Sequence, residues 1–279
     1  MIVAIVGVGL IGGSAAITLK EKKVAKKVIG VDRSDANLKK AHQLGFIDES
    51  ASLEEAISRA DVILLTMPVD AILAVLPSIL DQVSNQVVID MGSTKAAIMR
   101  AVADHPKRGR LVAAHPMAGT EYSGPEAAVA NLFKGKVMVY VDATQSDDDA
   151  FDLADAITEH LEMQAIFMNA EEHDMHTAYV SHISHITSFA LALTVLEKEK
   201  SQGRIFELAG SGFESTVRLA KSSPDMWTPI VRQNRDNVLE VLHEHIKQLQ
   251  QLYDVLEQED YDTFYKLIKK SNKIRRILK

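Results

Sequence analysis

The most constraining feature of this sequence lies at its start, where an unbroken apolar run leads into three closely spaced glycines. Residues 2–6 are followed by Gly7, Gly9 and Gly12 at G-x-G-x-x-G spacing, and residues 14–20 continue at helical period. This order predicts a buried parallel strand, a tight turn and the N-terminus of a helix. The free amides and the positive end of such a helix bind the two phosphates of a dinucleotide.

The glycines of this loop have different predicted tasks. Gly7 permits the turn, Gly9 lets the backbone approach a pyrophosphate, and Gly12 lets the helix pack close to the strand. Leu10 and Ile11 lie between them and complete the predicted cofactor-binding loop. The alternative is a purely structural strand–helix–strand unit without a ligand.

An acidic residue follows the predicted second strand, residues 28–31. Asp32 lies twenty residues beyond Gly12, where a carboxylate accepts hydrogen bonds from the adenosine ribose hydroxyls and repels a 2′-phosphate. Arg33 is its neighbour and favours the opposite choice, because an arginine there attracts a 2′-phosphate. We therefore predict NAD as the cofactor, with NADP as the alternative.

Composition excludes several classes of protein. The chain has 279 residues, 47% hydrophobic and 25% charged, with a net charge of −7 and no cysteine. The net negative charge argues against nucleic acid as a partner, and the missing thiols exclude a disulfide framework or a cysteine nucleophile. The chain starts directly with a strand, and its longest apolar run, residues 189–193, is too short to cross a bilayer. We expect a cytoplasmic protein without a membrane segment.

Short apolar runs alternate with amphipathic stretches up to residue 168. The predicted strands are 2–6, 28–31, 62–65, 87–89, 111–114, 137–141 and 165–168. The predicted helices between them are 10–21, 35–44, 53–60, 70–82, 95–103 and 147–161. Repeated strand–helix units predict an α/β fold, a Rossmann-type doubly wound and mostly parallel sheet. Ligands of such sheets bind beyond the carboxyl ends of the strands.

From residue 171 onward the sequence carries only helical periodicities. Long helices are predicted over 171–200, 227–256 and 261–278, with a break over 201–224 that is rich in glycine, serine and proline. We therefore predict two domains, a dinucleotide-binding domain over 1–168 and an all-helical substrate and dimerisation domain over 169–279. Apolar residues cover more than one face of the second long helix, which predicts a homodimer through the C-terminal helices. These residues are Val238, Leu242, Leu249, Leu252 and Leu256.

Three predicted strands end in residues that suit a binding site. Met67 and Pro68 follow the third strand, where Pro68 stops the strand and starts a helix. Ser93 and Thr94 follow the next strand, and their hydroxyl groups suit either a helix cap or a ligand. His115 follows the fifth strand, beside the expected nicotinamide, where a proton acceptor belongs. The alternative for His115 is a structural histidine.

Four histidines lie on one predicted helix: His173, His176, His182 and His185. Each close pair is three residues apart, and His-x-x-His on a helix can offer two nitrogens to zinc. A uniform α-helix, however, turns the two pairs to nearly opposite faces, and no H-E-x-x-H pattern is present. We therefore predict no metal, and we interpret the face around Ser181 as hydrogen-bonding groups that point at the cleft.

Several of these motifs together resemble the prephenate dehydrogenase family of tyrosine biosynthesis, which includes the arogenate dehydrogenases. The motifs occur in family order over essentially the whole chain. They are residues 90–95, 115–121, 181–185, 218–220 and 224–227. The resemblance implies an oxidative decarboxylation in which NAD takes a hydride from the substrate ring, the ring hydroxyl loses its proton and carbon dioxide leaves. The substrate is prephenate, giving 4-hydroxyphenylpyruvate, or alternatively arogenate, giving tyrosine.

The resemblance also implies roles for individual residues. His115 is the neutral base that accepts a hydrogen bond from the ring hydroxyl, and Ser93 holds His115 and that hydroxyl in register. Arg218 matches the substrate-binding arginine, whose planar fork suits a carboxylate. Glu121 matches a glutamate that gates the active site. The implied pocket residues from the helical domain are Ser181, His182 and His185.

One position departs from the family. Members often carry an aspartate three residues before the arginine, where this chain has Ser215, so that Glu214 or another group must orient Arg218. We expect no room for an appended regulatory domain, so that feedback by tyrosine, if present, would act at or near the active site.

Two other functions compete with this interpretation. Dehydrogenases of 3-hydroxy acids share the two-domain architecture but use a lysine on the first helix of the second domain, and this chain has none between Lys136 and Lys198. A non-catalytic NAD-sensing protein would need none of His115, Ser93 and Arg218. Both alternatives are therefore less consistent with the sequence.

Overall fold

The protein is described by a computed structural model that covers residues 1–202 and 204–277, without the side chains of residues 201 and 202. Gly203 in the predicted break and residue 278 at the end of the last predicted helix lie outside the described residues. Backbone contacts divide the chain into two compact units, Met1–Asn234 and Arg235–Lys279.

Eight strands and twelve α-helices are present in the described part of the chain. The strands are β1 Ile2–Val6, β2 Lys27–Val31, β3 Glu49–Ser50, β4 Val62–Leu65, β5 Val87–Asp90, β6 Leu111–Pro116, β7 Val137–Val141 and β8 Gln164–Met168. The helices of the first unit are α1 Leu10–Glu21, α2 Asp35–Gln43, α3 Leu53–Arg59, α4 Val69–Gln82, α5 Ala96–Ala101, α6 Asp148–His160, α7 Ala170–Thr177, α8 Ile183–Gln202, α9 Ser211–Val217 and α10 Pro224–Gln233. The second unit contains α11 Arg235–Glu257 and α12 Tyr261–Ser271.

All eight strands form one sheet in the order β3-β2-β1-β4-β5-β6-β7-β8. Every neighbouring pair is parallel except β6 and β7, which are antiparallel. The first six strands follow the 3-2-1-4-5-6 order of a dinucleotide-binding sheet. The predicted Rossmann-type, mostly parallel sheet with a helical C-terminal part is thus confirmed. Among the described strands, only β3 is not predicted, because a two-residue strand carries no periodicity. Helix α9 is not predicted either, since Ser211–Val217 lies within the predicted break 201–224.

Apolar layers cover both faces of the sheet, which explains the unbroken apolar runs of its central strands. In β1, Val3 and Ile5 belong to one layer, and Ala4 and Val6 belong to the opposite layer. Alternate residues of a strand point to opposite faces, so each of these runs must be apolar throughout. The central strands leave only their carboxyl ends free for chemistry.

The glycine loop after β1 has the close contacts that its sequence predicts. Gly7 has φ +101°, which side chains of L-residues rarely adopt, and its N–H donates to the Val31 carbonyl over 2.8 Å. A Cβ added at Gly12 would lie 2.3 Å from the Gly7 carbonyl oxygen. A Cβ added at Gly9 would meet nothing closer than the Gly124 nitrogen at 4.0 Å. Gly9 thus faces open space at the surface where a ligand can approach.

Two of the predicted long helices differ from a uniform α-helix. The predicted helix 171–200 contains a π-helical turn, Ala178–His182, between α7 and α8. The wider turn changes which side chains share a face of the helix. A uniform α-helix would turn the two histidine pairs to opposite faces, whereas His173 and His182 are both buried here. The predicted helix 227–256 is broken at Asn234, which has φ −105°. The Asn234 side chain donates to the Asp174 carbonyl over 2.6 Å, a tertiary contact that a helical pattern does not reveal.

The helical run Ala170–Lys200 is long and apolar enough to cross a membrane by its length and composition. Serine, threonine and histidine interrupt this helix, so its longest unbroken apolar run is short although its mean hydropathy is high. Only 11% of its most apolar window is buried within the chain. Its first turns nevertheless bury His173 and Asp174, which makes this helix part of the protein core at that end. A helix that packs against a partner subunit passes the same test, and the exposed Leu193 and Leu196 of α8 suit such a contact.

Replacing Gly12 with alanine is expected to lower the free energy of unfolding by about 1–3 kcal/mol, because the new methyl group meets backbone that cannot move cheaply. Urea denaturation measures this change. Gly9→Ala is the matched control, and its stability should stay within about 0.5 kcal/mol of the parent protein. Equal stability of the two variants would contradict the close approach of helix and strand at Gly12.

Candidate active site

The carboxyl end of the sheet brings together most of the predicted cofactor-binding residues. Leu10 and Ile11 form the start of α1, and among the described residues no side chain caps the amides of this helix. Asp32 is half-buried, and its carboxylate accepts the Val8 N–H over 3.1 Å and the Ser34 N–H over 2.9 Å. These bonds hold the carboxylate beside the glycine loop, where a ribose would lie.

The other predicted cofactor-binding residues flank this loop. Thr66, at the end of β4, donates its hydroxyl to the Gly7 carbonyl over 2.7 Å and so ties the two strand ends together. Met67 and Pro68 follow it, both half-buried, and Pro68 is the N-cap of α4. Arg33 is exposed beside the buried end of β2. The carboxylate of Asp32, rather than this arginine, is the group that the loop amides orient.

His115 lies at the end of β6 and is half-buried. Its Nδ1 atom lies 2.8 Å from Nε2 of His173, which is fully buried on α7. Nδ1 of His173 in turn lies 2.7 Å from a carboxylate oxygen of Asp174. A continuous hydrogen-bonded row therefore leads from the half-buried His115 into the protein.

The carboxylate of Asp174 also fastens the loop between β5 and α5. It accepts the Lys95 N–H over 2.8 Å and the Ala96 N–H over 2.9 Å, so Asp174 does the work of a helix cap. Neither Ser93 nor Thr94 caps this helix, because Thr94 donates to Gln233 over 2.7 Å. Ser93 is half-buried and makes no hydrogen bond within the described residues, including the expected one to His115.

The Asp90–Lys95 pair supplies the buried charges of this region. The Lys95 Nζ atom lies 2.7 Å from the Asp90 carboxylate, and both side chains are fully buried. Burial lowers the pKa of Lys95, while the charge and hydrogen bond of Asp90 raise it again. Removing either partner of such a pair costs about 3–5 kcal/mol, because the other charge stays buried without compensation.

The environment keeps both histidines of the row neutral at pH 7. Burial lowers the pKa of His115 well below its ordinary 6.5, and His173, Lys95 and His182 lower it further. Burial also lowers the pKa of His173, against the opposing effect of its hydrogen bond to Asp174. A neutral imidazole that faces the cleft can accept a proton, which is the task predicted for His115.

The helical side of the site is built around Trp227. The ring of His185 stacks on Trp227 with centroids 3.5 Å apart, and its Nδ1 donates to the Ser181 carbonyl over 3.1 Å. His182 is buried, its Nδ1 lies 3.1 Å from the side-chain nitrogen of Asn234, and burial lowers its pKa to about 4. His185 is half-buried and accessible from the site, whereas His182 is buried beneath it.

Arg218 and Glu121 form an ion pair of 2.6 Å between the helical region and the loop that follows β6. The pKa of Glu121 is lowered by its own backbone N–H and by the guanidinium of Arg218. Glu121 is therefore the group that orients Arg218. Glu214, the partner considered from the sequence, lies 3.9 Å from Lys221 instead. Ser215, where relatives often have aspartate, donates to the Gly212 carbonyl instead.

Three residues of the site were not assigned to it from the sequence: His173, Asp174 and Asn234. The sequence presents His173 only as half of a candidate metal-binding pair, and Asp174 and Asn234 as ordinary polar residues of helices. A signal for Asn234 exists, because asparagine is common where a helix ends. Asp174 carries no local signal for its capping role, since the backbone N–H groups that it accepts lie 78 and 79 residues away in sequence.

Two models of one protein family match this chain. Residues 15–167 match the family model described as prephenate dehydrogenase, nucleotide-binding domain, and residues 169–270 match the model described as prephenate dehydrogenase, dimerization domain. The chain belongs to the prephenate dehydrogenase family.

Individual relatives agree with this family. The prephenate dehydrogenase of Bacillus subtilis (strain 168) is 31% identical over 98% of this chain and 75% of the relative. The structure of prephenate dehydrogenase from A. aeolicus with hydroxyphenyl propionate and NAD⁺ has a TM-score of 0.85 and 28% identity, covering 100% of this chain and 98% of that one. Synechocystis arogenate dehydrogenase has a TM-score of 0.76 and 26% identity, covering 99% of each chain.

Asn234→Ala is expected to destabilise the protein by about 1–3 kcal/mol, because the Asp174 carbonyl and Nδ1 of His182 lose a buried donor. Chemical denaturation measures the loss, and Asn85→Ala, at an exposed position, should change stability by less than about 0.5 kcal/mol. If the helix break were only a matter of local propensity, alanine would stabilise the chain instead, which would contradict this interpretation.

Proposed function

We propose that this protein is an NAD-dependent prephenate dehydrogenase, which converts prephenate to 4-hydroxyphenylpyruvate. The observation that carries the proposal is a neutral His115 at the carboxyl end of β6, in a chain that belongs to this family. The related enzyme from A. aeolicus binds NAD⁺ and hydroxyphenyl propionate, a phenol with a carboxylate side chain. A cyclohexadienol that becomes a phenol suits a site of this kind.

The residues of the glycine loop fit the proposed cofactor. The surface at Gly9 is open, the first turn of α1 presents its amides, and the carboxylate of Asp32 is held in place for ribose hydroxyls. Leu10, Ile11, Met67 and Pro68 flank this surface, and Gly7 and Gly12 keep its backbone in place. When bound, NAD accepts the hydride, and the protein contributes orientation.

His115 is the proposed proton acceptor. It takes the hydroxyl proton as the hydride leaves the same ring carbon, and the bond to the ring carboxylate then breaks with loss of carbon dioxide. The electron pair of that bond enters the ring, and the proton returns to the phenolic oxygen, so that the atoms and charges balance. Ser93, on the adjacent strand end, is proposed to donate to the same substrate hydroxyl and orient it. General-base assistance of this kind contributes about 10²–10⁴-fold.

Substrate binding is assigned to the outer part of the site. Arg218 is proposed to bind a substrate carboxylate, with Glu121 as the group that holds the guanidinium until the substrate arrives. Ser181 and His185 are proposed to contact the substrate from the helical side. His182 is proposed to act from beneath it, since its ring is buried.

Three further properties are part of the proposal. The protein is proposed to form a homodimer through its C-terminal helices. Leu193 and Leu196 of α8 are exposed, and so are Ile246 and Leu249 of α11. Analytical ultracentrifugation should give twice the mass of one chain, and the mass of a single chain would refute the dimer. The functional domains are 1–168 and 169–279, a division that stays a prediction beside the contact boundary at Asn234. The proposed compartment is the cytoplasm.

The proposed activity is tested by mixing the purified protein with prephenate or arogenate, each with NAD⁺ or NADP⁺, and recording the absorbance of the reduced cofactor. Turnover is expected with prephenate and NAD⁺. Arogenate is the alternative substrate, favoured by the likeness to the Synechocystis enzyme. No turnover in any mixture would refute the proposed activity.

Tyrosine added to the same assay is expected to raise the apparent KM, because it competes for the active site. Purely noncompetitive inhibition would contradict binding of tyrosine at the active site.

His115→Asn is expected to lower kcat by about 10²–10⁴-fold while NAD affinity persists. His160→Asn, an exposed change on α6, is the control. In the parent protein, the pKa of His115 lies below 6.5 through burial and through His173, Lys95 and His182, which face it. A protonated His115 cannot accept a proton, so kcat/KM should fall only as the pH drops through this lowered pKa. An acidic limb above pH 6.5 would contradict the assignment.

A further inference from the structure

Two buried residues behind His115 have no binding or catalytic role in the function proposed above. His173 and Asp174 are adjacent on α7, and both are buried. They continue the row from His115 with separations of 2.8 Å and 2.7 Å. Buried histidines and carboxylates are uncommon unless they are fully hydrogen-bonded, so the order of donors and acceptors in this row carries information.

The order of donors and acceptors follows from the carboxylate. Asp174 accepts the backbone N–H groups of Lys95 and Ala96, one on each oxygen, and an ionised carboxylate has no proton to donate. His173 must therefore donate its Nδ1–H to Asp174. Because the ring of His173 is neutral, its Nε2 atom carries a lone pair and accepts.

The same reasoning sets the protonation of His115. Its Nδ1 faces the lone pair on Nε2 of His173 and must carry the hydrogen. In the neutral ring, Nε2 of His115 then holds a lone pair, and it makes no hydrogen bond to any of the described residues. This is the less common tautomer of a histidine in water, and it is the one that a proton acceptor with Nε2 toward the cleft requires.

We propose that His173 and Asp174 are positioning residues that hold His115 in the Nδ1–H tautomer with its Nε2 atom available for the substrate proton. The inference deepens the proposed function, since it rests on His115 as the acceptor. When His115 takes the proton, its added charge is met by the lone pair of His173 and, through that ring, by the carboxylate of Asp174. The row thus both selects the reactive tautomer and stabilises the protonated ring.

The alternative is that His173 merely joins α7 to the sheet. In serine proteases, loss of the correct histidine tautomer costs about 10⁴-fold in kcat. Here one more ring separates the carboxylate from the base, and we expect a smaller loss, of about 10²-fold. A structural role predicts lower stability without a change in tautomer or in the rate of folded enzyme.

The test compares three variants of the full-length protein. His173→Phe removes the acceptor for His115, and His173→Gln offers an amide oxygen in place of Nε2. His176→Phe is the matched control, one exposed turn further along the same helix. We expect kcat with prephenate and NAD⁺ to fall about 10²-fold in His173→Phe, to recover by about tenfold in His173→Gln, and to stay unchanged in His176→Phe. NAD affinity should be the same in all three.

The tautomer is observed directly by nitrogen NMR of ¹⁵N-histidine-labelled protein, with the His115 signals assigned by their loss in His115→Asn. The parent protein is expected to show Nδ1 protonated and Nε2 unprotonated at pH 7, and His173→Phe should show the reverse. Asp174→Asn is unsuitable as the main test, because it also breaks the bonds to Lys95 and Ala96.

Two results would overturn the inference: Nε2–H at His115 in the parent protein, or a folded His173→Phe enzyme as fast as His176→Phe. If His173→Phe fails to fold, the parent spectrum and the His173→Gln rate still decide. The spectrum needs no turnover, so the two proposals fail separately. If the protein shows the predicted tautomer but does not oxidise prephenate, the proposed function is refuted, whereas the proposed positioning of His115 by His173 and Asp174 is supported.

Discussion

The site depends on a single carboxylate. Asp174 accepts two backbone amides at the start of α5 and one ring N–H from α7, and each of these groups is buried. An unmade hydrogen bond to any of them would cost about 1–3 kcal/mol. The carboxylate therefore holds the first helix after the sheet against the end of β5, and His173 reaches His115 on β6 only because this contact exists.

The buried charges are consistent with the proposed role of a histidine, rather than a lysine, as the base. Lys95 lies in the same region, but its ammonium group bonds to the carboxylate and the carbonyl of Asp90. Its positive charge also lowers the pKa of His115, which keeps the imidazole neutral. Lys95 thus favours the neutral form of His115, which the proposed proton transfer requires. This arrangement differs from dehydrogenases that use a lysine as the acceptor, which was the competing interpretation of the sequence.

Local pattern predicted the parts of the molecule that local forces determine. The apolar run of β1, the glycines and the helix Leu10–Glu21 follow from neighbours in sequence, and all appear where predicted. The π-helical turn before α8 and the break at Asn234 do not, because they are stabilised by contacts across the fold. Likewise, Arg218 bonds to Glu121, which lies 97 residues away in sequence, and no pattern near Ser215 predicts this contact. The family resemblance supplied candidate residues, whereas their bonding partners required the three-dimensional structure.

The inner and outer halves of the site differ in exposure, and this difference matches two tasks. The row from His115 to Asp174 is buried at its inner end, so its hydrogen bonds are strong and its geometry is rigid. The Arg218 side chain is 48% exposed and the Glu121 side chain 10% exposed, so this ion pair is open to water on the arginine side only. In the proposed function, a substrate carboxylate replaces Glu121 at the Arg218 guanidinium, so that one anion is exchanged for another. In the proposed function, the buried row therefore keeps His115 in place while Arg218 exchanges one anion for another, so that binding a charged substrate does not disturb the proposed base.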